Sequence, residues 1–226
     1  IFNYQGERLK DGVIKLVKET FGEDTPVCEL DVSSDESIAN FFSFVAQHTD
    51  HVDMLLHAIA FAPKAPGALE GHFSDIPRDA FNLSLQISAY SLIALSRAVA
   101  PLMVNGGSIT ALTYYASQKV VPNYNLMAVS KSALETCAKY LAFDLGRREK
   151  PIRVNCISAG PVQTLAARGV SGFTGMFKVY EERSPLQRSC TLDELGATAT
   201  FLASDGAASV TGQVLYVDGG YEIVGM

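Results

Sequence analysis

Val52-Asp-Met-Leu-Leu-His-Ala-Ile-Ala60 is the stretch on which the fold turns. It is almost continuously apolar, and a run without polar alternation suits a parallel strand covered on both faces. Its neighbours agree. Upstream, Ile1–Tyr4 is a short β-prone run. Glu7–Phe21 carries Leu9, Val13, Ile14, Leu16 and Val17 close to helical spacing, and Gly22 stands where a helix stops. Pro26–Val32 reads as a strand. Ser33 and Ser34 can cap a helix over Asp35–His48 that turns Ile38, Phe41, Phe42 and Val45 inward. Downstream, Phe61–Pro77 is loop-like, with three prolines and two glycines. A long helical pattern over Arg78–Met103 is broken by Gly106-Gly107. Ser108–Thr113 is a strand, Tyr124–Arg148 a long helix, and Ile152–Ser158 another strand. Thr191, followed by Asp193 and Glu194, caps a helix to about Ala203, and Val214–Val217 is a last strand. Strand–helix alternation of this kind predicts an α/β fold, a doubly wound parallel sheet with helices on both faces, in a single domain over 1–226.

Composition narrows the function. Of 226 residues 48% are apolar, enough for a large core, and the net charge of −6 lacks the basic footprint of a nucleic-acid binder. No run of about eighteen apolar residues exists to cross a membrane. The four cysteines form no C-x-x-C pair and the four histidines no ligand pattern, which points to free thiols in a reduced cytoplasmic protein without a metal.

In open α/β sheets ligands bind beyond the carboxyl ends of the strands, so the loops after Asp31, Ala60, Thr113 and Ser158 hold the candidate chemistry. Two Tyr–Lys pairs compete there. Tyr115 and Lys119 are four residues apart, about 400° on a helix, but Pro122 would break a helix that had just begun. Tyr124 and Lys131 are seven apart, about 700°, so they also share a face, roughly 10 Å apart along the axis. They open the long helix, whose Leu126, Val129, Leu134, Cys137 and Leu141 are expected to pack on the sheet.

The second pair has company: Leu30-Asp31-Val32, His57-Ala-Ile-Ala-Phe-Ala-Pro63, Thr113-Tyr114, Pro122-Asn-Tyr-Asn125, Ser158-Ala-Gly-Pro161 and Tyr216-Val-Asp-Gly-Gly220. In order and spacing these resemble the short-chain dehydrogenase/reductase superfamily. More closely they are similar to the bacterial enoyl-acyl-carrier-protein reductases of type II fatty-acid synthesis. There Tyr-x6-Lys, with a tyrosine ten residues earlier (Tyr114), replaces the classical Tyr-x3-Lys. The resemblance implies conjugate reduction of a trans-2-enoyl thioester by NADH, with NADPH the lesser expectation. Tyr124 would donate to the thioester oxygen. Lys131 would hold the nicotinamide ribose and make the phenol more acidic. Tyr114 would line the thioester end.

Cofactor contacts implied by the resemblance are Gln5 near the adenosine ribose, Asp31 and Val32 at the adenine, and Ala58, Ile59 and Ala60 beneath the cofactor. Val162, Gln163, Thr164, Leu165 and Ala166 would lie at the nicotinamide amide and phosphates. Ala60 departs from the glycine of many relatives. Ala62, Tyr114, Tyr124, Phe173 and Met176 would bind substrate, and about 164–183 would cover it. An acidic acyl-carrier protein would dock on Arg168, Lys178, Arg183 and Arg188, and the long helices would build a homotetramer. The family's first strand and glycine-bearing pyrophosphate loop are missing here, so the chain is expected to be N-terminally incomplete. The rivals are a 3-ketoacyl reductase using Tyr115 and Lys119, and a non-catalytic dinucleotide-binding protein.

Overall fold

Patterns of 3.6 residues produce helices in the expected places in the computed structural model, which describes residues 1–162 and 173–225. In chain order the main elements are β1 (Phe2–Tyr4), α1 (Glu7–Phe21), β2 (Val27–Glu29), α2 (Asp35–His48), β3 (Met54–His57), α3 (Arg78–Leu85), a π-helical turn (Gln86–Tyr90) and α4 (Ser91–Val99). They continue with β4 (Gly107–Thr113), α5 (Asn125–Leu145), β5 (Ile152–Ala159), α6 (Phe173–Arg183), α7 (Leu192–Ala203) and β6 (Val214–Val217).

Local chemistry explains the ends. Ser34 Oγ accepts from the Ser37 amide at the start of α2, whereas Ser33 is engaged by Asp31 instead. Thr191 and Glu194 form a reciprocal capping box on α7. Gly106 lies at φ +83°, and a Cβ there would meet the Pro151 carbonyl at 2.6 Å, so the break before β4 needs a residue without a side chain.

All strand pairs are parallel, and they form two sheets, β1-β2 and β3-β4-β5-β6. The parallel α/β plan is as expected; among the described residues neither β1 nor β3 has a second strand partner, so the strand pairing is interrupted between them. Parallel register brings the carboxyl ends of β3, β4, β5 and β6 to one edge, with Thr113 opposite Ser158 and Ala159 opposite Val217. Helices cover both faces of the larger sheet. Leu92, Val99, Leu134 and Ala138 pack with Ile109, Val154 and Cys156 on one side. Leu195, Ala199 and Leu202 pack with Ile157 on the other.

Three expectations shift. The apolar run over 52–60 yields a strand of only Met54–His57, and Leu56 is 47% exposed, so it is not covered on both faces. The helix expected over Arg78–Met103 is interrupted by the π turn and ends at Val99. The buried side of α5 is not purely apolar: Ser130, Lys131 and Glu135 lie inward with Leu126, Met127, Leu134, Ala138 and Ala142.

Candidate active site

Tyr114 follows β4 directly, and Tyr124 is the residue before α5 rather than its first turn. Asn123 precedes it at φ +61°, a left-handed turn that asparagine tolerates. No side chain caps α5. The loop after β3 serves instead: the Leu126 amide donates to Ala68 O at 2.8 Å, and Asn125 Nδ2 donates to Gly67 O and Gly71 O. The Tyr114 and Tyr124 rings meet edge-on, 4.9 Å apart. Burial pushes the Tyr114 phenol up to about 12, and it pushes Tyr124 above the usual range too, with Tyr114 adding to the effect. This overturns the expected acidification by Lys131. Both phenols are neutral hydrogen-bond donors at physiological pH.

Lys131 does share the helix face of Tyr124, but it points inward. It is 6% exposed, and its Nζ donates to Leu112 O at 2.7 Å. Burial lowers its pKa to about 8, opposed by Cys156 and by Glu135, one turn further on. An ammonium has three donors, so two remain for a ligand. Glu135 Oε1 accepts from Thr113 Oγ1 at 2.7 Å, and Oε2 from Gln118 Nε2 at 3.0 Å. The rival pair does not form: Tyr115 opens a 3-10 turn that ends at Ser117, and Lys119 lies beyond it, exposed.

The exit of β3 is held by serines. Ser88 Oγ accepts from the Phe61 amide at 2.8 Å and lies 3.1 Å from Phe61 O; Ser84 Oγ donates to Phe61 O and sits 2.9 Å from Ser130 Oγ. His57 Nε2 and Ser91 Oγ are 2.7 Å apart. Ser84, Ser88 and Ser91 flank and occupy the π turn, and such turns gather at functional sites. Burial drives the His57 pKa down to about 3, so its ring is neutral. The structure leaves Ala58 and Ala60 exposed, with Ile59 and Ala62 half-buried. Ser158, at the same edge, has a buried hydroxyl without a partner among the described residues.

Gln5 and Asp31 come together. Hydrogen bonds from Ser33 first, and from Gln5 as well, hold the Asp31 carboxyl below its ordinary value. The Val32 side chain is buried in the core. Val162 is half-buried, while Gln163, Thr164, Leu165, Ala166 and Arg168 lie outside the described residues. Phe173 and Met176 sit on α6, with side chains outside the described set. Arg188 makes two hydrogen bonds to Glu194, at 2.6 and 2.9 Å, and Lys178 lies 3.7 Å from Glu182, so the basic patch is partly neutralised.

Tyr180 was not foreseen. It is 2% exposed and stacks on Tyr221, centroids 4.0 Å apart. Tyr221 meets Tyr115, and Tyr115 meets Tyr114, so an aromatic chain links α6 to the pocket. The spacing of Phe173, Met176, Phe177 and Tyr180 was the available signal, since Tyr180 completes that helical stripe. His57 and the serine ladder were missed because each reads alone as an ordinary buried or capping residue. Among the described residues no cluster of His, Cys, Asp and Glu could hold a metal ion.

Parallel strands ending at one edge, with a Tyr–Lys helix behind them, define the doubly wound short-chain dehydrogenase/reductase class. A family model described as enoyl-(acyl carrier protein) reductase matches residues 1–222, and the chain belongs to that family. The enoyl-(acyl-carrier-protein) reductase (NADH) of Synechocystis is 49% identical over 196 residues, 87% of this chain and 74% of that protein. The Bacillus cereus enzyme of the same name is 45% identical across 100% of this chain and 86% of its own. A crystal structure of the Bacillus cereus protein with NADP+ and indole naphthyridinone matches at a TM-score of 0.95, with 45% identity, covering 100% of this chain and 86% of that one. The Anaplasma phagocytophilum reductase in complex with NAD matches at 0.90, with 41% identity, covering 99% and 81%.

Proposed function

We infer that this chain is an NADH-dependent enoyl-acyl-carrier-protein reductase that reduces the carbon–carbon double bond of trans-2-enoyl thioesters in fatty-acid elongation. One observation carries the site assignment: Tyr114 and Tyr124 meet at 4.9 Å beside the strand edge, with the Lys131 face directly behind. The surroundings fit a dinucleotide. Ala58 and Ala60 are exposed and carry a single methyl each, so backbone can approach a ligand closely, and Gln5 with Asp31 offers an amide and a carboxylate to the adenosine end.

When bound, the nicotinamide supplies a hydride to the β-carbon of the enoyl group. Hydride addition would leave an enolate with its charge on the thioester oxygen, and a proton from solvent taken up at the α-carbon would complete the saturated thioester. Tyr124, a neutral phenol at this site, donates a hydrogen bond to that oxygen and stabilises the transition state more than the ground state. Lys131 would use its remaining donors on the nicotinamide ribose hydroxyls. Tyr114 lines the thioester end. Ala62, Phe173 and Met176 would bind the acyl chain, and the stretch 164–183, partly outside the described residues, would cover the substrate. Val32, Ile59 and Val162 complete the cofactor contacts, together with Gln163, Thr164, Leu165 and Ala166.

The chain acts as one Rossmann-type domain in a reducing cytoplasm, taking its substrate from an acyl-carrier protein. It assembles as a homotetramer, for which exposed Tyr140 and Phe143 on α5 and Tyr90 on the π turn offer apolar surface. Among the described residues no helix is long and apolar enough to cross a membrane. The deciding experiment presents full-length protein with NADH and either an enoyl or a 3-ketoacyl thioester, following nicotinamide oxidation. Turnover of the enoyl substrate is expected; turnover of only the ketoacyl substrate overturns the reading.

A further inference from the structure

Glu135 is a buried carboxylate that the chemistry above does not use. It is 3% exposed, and its two oxygens are divided between two ends of one loop. Oε1 accepts from Thr113, the last residue of β4; Oε2 accepts from Gln118, just beyond the 3-10 turn Tyr115–Ser117. Between those two anchors lies Tyr114. Two further bonds tie the same stretch to the same helix. Lys131 Nζ donates to Leu112 O at 2.7 Å, and Ser132 Oγ donates to Ser117 O at 2.9 Å. Residues 112–118 are therefore stapled to α5 by three side chains within five residues, and Tyr124 stands at the head of that helix.

We propose that Glu135 is a positioning residue for the reduction: its carboxylate fixes the Tyr114 loop against α5, so that the Tyr114 and Tyr124 phenols keep the relative placement that the thioester requires. The inference rests on the assignment of Tyr124 and Tyr114 to the substrate. Glu135 reaches neither phenol and acts through Thr113 and Gln118. Lys131 and Ser132 hold only backbone carbonyls at residues 112 and 117, whereas Glu135 grips side chains on both sides of Tyr114; a loop freed of that grip can shift by an ångström, enough to cost about 10²-fold in rate. Two hydrogen bonds accepted by one carboxylate, one from buried Thr113 and one from the exposed Gln118 side chain, oppose that shift.

The test is made in the full-length protein, with kcat expressed per NADH-binding site. Glu135→Leu removes both bonds at similar size; kcat is expected to fall roughly tenfold to a hundredfold while KM for NADH stays near its original value. Glu135→Gln is the rescue. Its carbonyl still accepts from Thr113, and its amide can donate to the Gln118 carbonyl after that exposed side chain flips, so most of kcat is expected to return. Should Glu135→Leu not fold, Thr113→Val combined with Gln118→Ala removes the same two bonds from the loop side, and the same loss is expected.

Unchanged kcat in Glu135→Leu or in the double variant overturns the proposal. So does an equal loss in Glu135→Gln and Glu135→Leu, which would assign the effect to charge rather than to the two bonds. Tyr124→Phe is measured in parallel. Full activity in that variant refutes the site assignment itself, whereas a defective Tyr124→Phe beside a fully active Glu135→Leu refutes only the role of Glu135.

Discussion

The role proposed for Tyr124 asks it to donate a hydrogen bond while staying protonated. Burial raises its phenol above the ordinary value, so it is protonated at neutral pH. Tyr124→Phe is expected to cut kcat about 10²-fold, the usual effect of deleting one donor to a developing oxyanion, with NADH binding retained in a fluorescence titration. Lys131 titrates closer to neutrality. Its folded pKa lies near 8, below the ordinary 10.5. If its charge serves the reaction, kcat falls as pH rises through about 8, and a pH–rate profile with that alkaline limb is the expected result. Stability moves the other way. The unfolded chain binds this proton more readily than the folded one between about 8 and 10.5, so this residue makes the protein more stable as pH rises through that window. His57 has the corresponding sign at acid pH. Its folded pKa of about 3 lies below 6.5, so stability is full above 6.5 and is lost as pH falls toward 3. Urea midpoints measured between pH 7 and 4 should decline, and His57→Gln should flatten that decline. The sequence located Tyr124 and Lys131 on one face by angular spacing alone. It could not tell that the face turns inward, because spacing says which residues are neighbours and not which side water reaches.

At the scale of elements, the π turn is the feature that periodicity could not disclose. Arg78–Met103 keeps a helical pattern throughout, and an inserted residue only rotates the turns C-terminal to it. Here that rotation brings Ser91, after the turn, to the exit of β3 beside Ser88 within the turn and Ser84 just before it. Ser88→Ala removes the acceptor of the Phe61 amide. A lost partner for a partly buried donor costs about 1–3 kcal/mol. The expected outcome is a lower melting temperature together with a raised KM for NADH, since Phe61 adjoins the loop of Ala58–Ala60. Thr191→Ala is the comparison at a residue with no proposed role in the site. It breaks the capping box of α7, should cost about 1 kcal/mol, and should leave kcat per folded molecule unchanged. Helices α1, α2 and α7 were legible to the residue because glycine, serine and threonine mark their ends chemically. Strands were legible only in place. β3 is shorter than its apolar run, since hydrogen-bonded partners, not hydrophobicity, decide where a ladder stops.

Over the whole molecule, a net charge of −6 bears on the proposal that an acidic carrier protein docks here. Like charges repel, so docking has to use local cations. Arg188 is committed to Glu194, which leaves Arg183 at the end of α6 the stronger candidate of the described residues. Arg183→Glu is expected to raise KM severalfold for the carrier-bound thioester and to spare a small soluble thioester; equal effects on both would remove Arg183 from the docking surface. The strand–helix alternation made the layered plan legible, but the division into two sheets was not, because pairing depends on which strands are neighbours and no local pattern encodes that.

The joint between the β3 loop and α5 has a kinetic corollary. Because the Leu126 amide is held by Ala68 rather than by its own helix, it can exchange with solvent only when the loop lifts. Its deuterium uptake therefore clocks loop opening directly, and a ligand that seats this loop should slow that one amide while leaving those in the middle of α5 untouched.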